Sequence, residues 1–315
     1  SNPGHDYTQR LMNAVRPPPA AGQGDDLNAG IDSKHPILEL KDIYAGYGKK
    51  KDGTSIISVL ENINIKINKG QTVGVIGESG CGKSTMARVM SGLLPASQGD
   101  VILSGYNLQP NLKNRSRNEL QKIQYVFQMA DTALNPRQRI DQILGRPLEF
   151  YLGLKGGEKR KRINELLEMV ELPLDFAGRF PEELSGGQKQ RINLARALAA
   201  NPEILLCDEV ISALDTIVGA NIIELLKRLR KETGVSFVFI SHDLSTVASF
   251  ADHIVVLYAG KIVDQGTVDE VLSPPYHPYT RLLISSVPEL RVGWLEESVD
   301  EIEELAKKRD QGFLN

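Results

Sequence analysis

The chain has 315 residues, 41% of them hydrophobic and 24% charged, with a formal net charge of −3. That length buries a large core and fits one domain with appendages or two small ones, and the near-balanced charge gives no global basic field for nucleic acid. No run approaches the roughly 18 apolar residues of a membrane span and no signal-peptide layout opens the chain. Its two cysteines, Cys81 and Cys207, form neither a disulfide framework nor a metal-ligand spacing, which fits a reducing compartment.

In chain order, Ser1–Arg16 (SNPGHDYTQRLMNAVR) lies over Ser273–Pro288 (SPPYHPYTRLLISSVP) without a gap, and Pro3, His5, Tyr7 and Thr8 match Pro275, His277, Tyr279 and Thr280. Two copies of a tail around one core read as the end of a preceding copy in a tandem protein. A tag scar at Ser1 and Asn2, and chance likeness of two amphipathic tails, are the alternatives. Residues 17–35, opening on Pro17, Pro18 and Pro19, read as a linker. From Pro36 onward, strands are expected at Ile37–Leu40, Ile63–Ile67, Thr72–Ile76, Ile123–Phe127, Ile204–Cys207, Val235–Ile240 and His253–Leu257. Several are apolar on both faces, so their sheet is covered on both sides. Helical patterns fall between them at Ser84–Leu93, Arg160–Val170, Gln188–Ala199 and Ala220–Leu229, giving an α/β layered core. Strand signals vanish across 129–188, which reads as an inserted helical subdomain. The expected domains are 1–35 (tail of a preceding copy plus linker), 36–272 (core) and 273–315 (extension).

The segment Gly77-Glu-Ser-Gly-Cys-Gly-Lys-Ser84 satisfies G-x-x-x-x-G-K-[ST] between a strand and a helix, the context that phosphate binding requires. The expected cradle is Gly77, Ser79, Gly80, Cys81, Gly82, Lys83, Ser84 and Thr85: backbone N–H groups wrap the phosphates, Lys83 reaches the β- and γ-phosphates, and the Ser84 hydroxyl serves Mg²⁺. Asp208 and Glu209 end an apolar strand, where adjacent carboxylates suit a division between metal holding (Asp208) and activation of the attacking water (Glu209). His242 follows the next strand, within reach of a γ-phosphate; a lone histidine would ordinarily be structural. Leu184-Ser-Gly-Gly-Gln188 precedes another helix, where a hydroxyl and exposed amides make an anion site and Ser185 also reads as an N-cap.

Taken together, the phosphate loop, Gln128, LSGGQ, Asp208-Glu209, Ser212-Ala-Leu-Asp215 and His242 resemble the ABC ATPases in order and spacing, over roughly residues 37–290. The resemblance implies a P-loop NTPase (RecA-like) core with an antiparallel β subdomain and an inserted helical subdomain, and an ATPase using ATP and Mg²⁺. It further implies that Ser185, Gly186, Gly187 and Gln188 meet the γ-phosphate held by an opposite protomer, with Asp215 at the dimer seam. Tyr47 would stack on adenine, with Tyr44 as rival and a core aromatic as the plain alternative. Gln128 would touch Mg²⁺ or the lytic water, joining Glu209, His242 and Lys83 in catalysis.

Gln128-Met-Ala-Asp-Thr-Ala-Leu-Asn-Pro-Arg137 and Ser273-Pro-Pro-Tyr-His-Pro-Tyr-Thr-Arg281 resemble the oligopeptide/dipeptide importer ATPases in particular. Those pair two ATPase domains with two transmembrane permeases and, indirectly, a periplasmic solute-binding protein, so the expected place is the cytoplasmic face of a bacterial inner membrane. Val210-Ile211 and Met129-Ala130 depart from the family pattern without removing a catalytic group. No cysteine follows Cys207, so no iron–sulfur cluster is expected. Leu295, Val299, Ile302 and Leu305 share one face of a segment that reads equally as a docking helix or a solvated end. The rival class is a soluble ABC protein acting on DNA or the ribosome; this chain shows no sustained heptads and no basic run beyond the short Lys49–Lys51 and Lys159–Arg162, which read as solvated surface, and no nucleic-acid partner is expected.

Overall fold

A computed structural model describes residues 36–48 and 57–286. The tail likeness in 1–16, the linker to 35, the basic run from Lys49 and the segment from Leu295 lie outside the described residues.

Two sheets form the body. Strands β1 (Pro36–Tyr47), β2 (Ile57–Asn68), β4 (Gln98–Leu103) and β5 (Tyr106–Asn107) make an antiparallel sheet ordered β2-β1-β4-β5. The second sheet is ordered β10-β9-β3-β8-β7-β6, from β3 (Thr72–Ile76), β6 (Ile123–Val126), β7 (Ile204–Asp208), β8 (Ser236–Ile240), β9 (His253–Tyr258) and β10 (Lys261–Thr267). All its pairs are parallel except β9 with β10. Side chains alternate across a strand, and here the alternation divides two cores. Val73, Val75, Leu206, Val238, Ile240 and Val255 pack with the antiparallel sheet and helix α1 (Lys83–Ser91), while Ile76, Leu205, Cys207, Phe237, Phe239 and Ile254 pack on the opposite face. Strands β3, β7 and β8 are buried at every position, which is why they read as continuous apolar runs.

After α2 (Arg117–Lys122) and β6, the chain enters a helical insertion: α3 (Ala130–Ala133), α4 (Ile140–Leu152), α5 (Gly156–Met169) and two short 3₁₀ turns lead to α6 (Gly186–Leu198). Ile140, Leu144, Leu148, Ile163, Leu166 and Leu167 close the insertion's interior, which is continuous with the core beneath Leu205 and Cys207 through Ile192 and Leu194 of α6. Several polar ties hold this insertion to the body. Arg191 Nη1 and Arg228 Nη1 share the Glu171 carboxylate at 2.6 and 2.7 Å, and Asn193 Nδ2 donates to the Phe127 carbonyl at 3.2 Å. The remaining helices are α7 (Thr216–Thr233), α8 (Leu244–Phe250), α9 (Val268–Val271) and α10 (Pro278–Ser285).

The observed elements shift several expected bounds. β1 runs on to Tyr47 because bulges keep it paired with β2 beyond Leu40. β4, β5 and β10 have no counterpart in the sequence reading, since they carry few buried apolar residues. α6 starts at Gly186 rather than Gln188, so both LSGGQ glycines lie inside its first turn.

Candidate nucleotide site

The phosphate loop is shaped by three glycines in conformations that side chains resist. Gly77, Gly80 and Gly82 take φ values of 148, 83 and 112°. A Cβ on Gly77 would lie 2.1 Å from the Leu257 carbonyl oxygen, so the loop passes hard against β9. Lys83, 4% exposed, donates from Nζ to the carbonyls of Gly77 at 2.7 Å and Glu78 at 2.8 Å, folding back over the loop it belongs to. Cys81 is buried in the same loop, and burial raises its thiol pKa, with Lys83 opposing.

Next to the loop, at the C-terminal end of β7, the Ser84 hydroxyl donates to Asp208 Oδ1 at 3.0 Å. The other carboxylate oxygen, Oδ2, accepts from the Tyr125 hydroxyl at 2.6 Å. Tyr125 pairs with Leu206 across β6 and β7, two residues before Asp208, which sets the reach. Burial, then the nearby Asp208 charge, raises the phenol's pKa, so it stays protonated and donates.

Glu209 follows at a left-handed φ of 48°, an uncommon conformation for a residue with a Cβ. Its N–H donates to the Ile240 carbonyl at 3.0 Å, and its own carbonyl accepts from the Ser212 hydroxyl at 2.9 Å and the Ser212 N–H at 3.1 Å. Held this way, Glu209 Oε2 accepts from Gln128 Nε2 at 2.8 Å, and Oε1 lies 3.8 Å from His242 Nδ1. Gln128 also reaches Ser212 Oγ at 3.3 Å. Thus Gln128, Glu209 and His242, from the ends of three strands, converge at the topological edge where parallel sheets bind ligands.

Tyr47 stands over α1: its hydroxyl lies 3.3 Å from Thr85 Oγ1 and accepts from Arg88 Nη1 at 3.0 Å. Its rival Tyr44 is anchored by backbone, its carbonyl accepting from Ser97 N–H and Oγ. Tyr47 and Tyr44 are 38% and 37% exposed, so exposure does not separate them; Tyr47 is the one tied to α1 next to the phosphate loop.

A second cluster lies at the start of α6. Ser185 Oγ accepts from Gln188 N–H at 3.4 Å while Gln188 Oε1 accepts from Ser185 N–H at 2.9 Å, a capping box. Gly186 and Gly187 occupy the first two helical positions, where backbone N–H groups have no intrahelical acceptor. Gly187 packs against Val218 in the first turn of α7, whose N-cap is Asp215, accepting from Val218 N–H at 3.0 Å. Ser185, Gly186, Gly187, Gln188 and Asp215 therefore form one patch at the first turns of α6 and α7, braced by its own hydrogen bonds.

The sequence reading found the loop, Gln128, Asp208, Glu209, His242 and Tyr47, and the structure brings them together. It missed Tyr125, Arg88 and the bracing hydroxyl of Ser212. Only the alternation of β6 carried a signal for Tyr125, pointing its side chain to the face of Asp208.

Residues 60–212 match the ABC transporter family model and residues 263–312 match the oligopeptide/dipeptide transporter C-terminal region. The chain is 39% identical over 234 residues to the dipeptide transport ATP-binding protein DppF of Haemophilus influenzae, covering 74% of this chain and 72% of that one. It is 42% identical over 254 residues to the oligopeptide transport ATP-binding protein OppF of Bacillus subtilis, covering 80% and 82%. Among solved structures, a dimeric ATP-binding cassette in a post-hydrolysis state, bound to ADP and Pi, superposes with a TM-score of 0.64 at 35% identity, over 74% of this chain and 99% of that one.

Proposed function

We propose a mechanism from one premise: this chain belongs to the ABC transporter ATP-binding proteins of the oligopeptide/dipeptide type. It is an ATPase subunit of a peptide-type importer, and membrane permeases are its partners. The observation that carries the catalytic assignment is the placement of Glu209 beside Gln128 and next to the Ser84–Asp208 pair.

Binding begins with ATP phosphates against the amides of Gly77, Ser79, Gly80, Cys81, Gly82, Ser84 and Thr85, with Lys83 leaving its carbonyls for the β- and γ-phosphates. Tyr47 stacks on the adenine. A hydroxyl and a carboxylate 3.0 Å apart are oxygen donors of the kind Mg²⁺ takes, and among the described residues no cluster of three or more His, Cys, Asp or Glu could hold a metal unaided. That suits an ion arriving with its phosphates. Ser84, Asp208 and Gln128 would hold it, and bound Mg²⁺ supplies neutralisation of developing phosphate charge. Glu209 accepts the proton of the attacking water, Gln128 orients that water, and His242 steadies the γ-phosphate.

The dimeric state of the similar ATP-binding cassette bound to ADP and Pi supports head-to-tail pairing, in which each Ser185–Gln188 patch completes the loop site of a second ABC ATPase domain. Ser185, Gly186 and Gly187 then bind γ-phosphate, Gln188 braces them and Asp215 lies at the seam. The likeness of 1–16 to 273–288 supports a partner domain within the same native chain. We divide the chain at 36–272 for the ATPase unit and 273–315 for its extension. Among the described residues no helix is long and apolar enough to cross a membrane, and we assign the subunit to the cytoplasmic face, docked through the helical insertion at roughly 129–188. A periplasmic solute-binding protein completes the importer without touching this chain.

The test is to tag the intact gene product in its host, purify it from gently solubilised membranes and identify its companions by mass spectrometry. Two multispanning permeases are expected. Ribosomal or DNA-processing proteins in their place would contradict the importer assignment.

A further inference from the structure

Helix α10 lies in the C-terminal extension, outside the nucleotide machinery, yet one of its side chains touches the phosphate loop. Tyr279 is completely buried, its ring 4.5 Å from that of Tyr258, and its hydroxyl oxygen accepts the Glu78 N–H at 3.1 Å. The Glu78 N–H and the Gly77 carbonyl belong to the same peptide unit. Lys83 Nζ holds that carbonyl at 2.7 Å. A single peptide plane is therefore gripped at both ends, by Lys83 within the loop and by Tyr279 from behind it. The grip matters because Gly77, at φ 148°, has the backbone freedom that would let this plane rotate.

Tyr279 is itself placed by contacts that need no nucleotide. His277 Nδ1 accepts the Tyr279 N–H at 3.2 Å, and Thr280, fully buried, donates from Oγ1 to Asp264 Oδ2 of β10 at 2.7 Å. Further along the helix, Leu283 and Ser286 line a cavity of about 260 Å³ together with Gly77 and His242. The extension thus backs both the first residue of the loop and the histidine facing Glu209.

We propose that Tyr279 is a positioning residue for ATP: its hydroxyl fixes the Gly77–Glu78 peptide plane so that the rest of the loop is preorganised for phosphate. When Lys83 turns from the carbonyls to the phosphates, Tyr279 keeps its hold on the same plane. Preorganisation of this kind strengthens ground-state and transition-state binding alike, so its loss weakens affinity and spares turnover. The inference rests on the nucleotide-site reading above and extends it to the C-terminal segment.

The experiment compares the full chain with Tyr279→Phe, which loses only the acceptor, and Tyr279→Leu, which loses the acceptor and the ring. Affinities for ATP and ADP are measured by calorimetry, turnover by phosphate release, and the melting temperature with and without ATP. Loss of one neutral hydrogen bond corresponds to a Kd about 2- to 10-fold weaker, with kcat within about two-fold of the parent and a smaller ATP-induced rise in melting temperature in both variants. Tyr279→Leu should also melt lower without nucleotide. If Tyr279→Phe binds ATP like the parent and only Tyr279→Leu is altered, Tyr279 is packing and the proposal is overturned. If the parent binds no ATP, the nucleotide-site reading falls first, and this inference with it.

Discussion

Tyr125→Phe isolates one bond at the heart of the site. The substitution keeps the ring and its neighbour Phe127, whose centroid lies 4.5 Å away, and removes only the hydroxyl that donates to Asp208 Oδ2 at 2.6 Å. Asp208 is 6% exposed, so water cannot readily replace the donor, and the carboxylate keeps Ser84 as a hydrogen-bond donor on its other oxygen. A hydrogen bond to a charged group is worth about 1.5–3 kcal/mol. For a folded unit of this size each kcal/mol moves the melting temperature by about 2–4 °C, which places the expected drop at about 3–12 °C. Asp208 also gains freedom to rotate, so half-maximal ATPase activity should need several-fold more Mg²⁺. Thermal melting and a Mg²⁺ titration of phosphate release read both effects. A variant that melts within about 1 °C of the parent, with an unchanged Mg²⁺ requirement, would refute the idea that Tyr125 orients Asp208.

Other expectations concern the frame. Arg230 and Asp252, 6% and 11% exposed, pair at 2.7 Å at the start of β3, where Asp252 also accepts the Thr72 N–H. Arg230→Ala strands that carboxylate and should cost about 3–5 kcal/mol in urea unfolding. Gly77→Ala drives a Cβ into the Leu257 carbonyl at 2.1 Å and should lose ATP binding by calorimetry while lowering stability by about 1–3 kcal/mol.

Legibility in the sequence followed chemistry that is local. The phosphate loop, LSGGQ and Asp208-Glu209 could be read because each packs its function into a few consecutive residues. β7 and β8 could be read because both faces are buried and their apolar runs are uninterrupted. β4 and β10, half exposed, carry no such run; β4 takes its place from β1, far back in the chain, and β10 closes a hairpin on β9 with few buried apolar residues. Contacts that depend on register were invisible for the same reason: Tyr125 meets Asp208 across 83 residues, and Tyr279 meets Glu78 across 201. The start of α6 was misplaced because glycines argue against a helix, whereas the Ser185–Gln188 capping box secures its first turn.

Glu209→Gln tests the catalytic assignment most directly, with steady-state phosphate release measured alongside the oligomeric state in ATP and Mg²⁺. Glutamine preserves size and hydrogen bonding to Gln128 but cannot take a proton. Turnover is expected to fall by about 10²–10⁴-fold, with ATP-bound domains accumulating as a head-to-tail pair. Near-normal hydrolysis in this variant would remove Glu209 from the role of general base and contradict the mechanism.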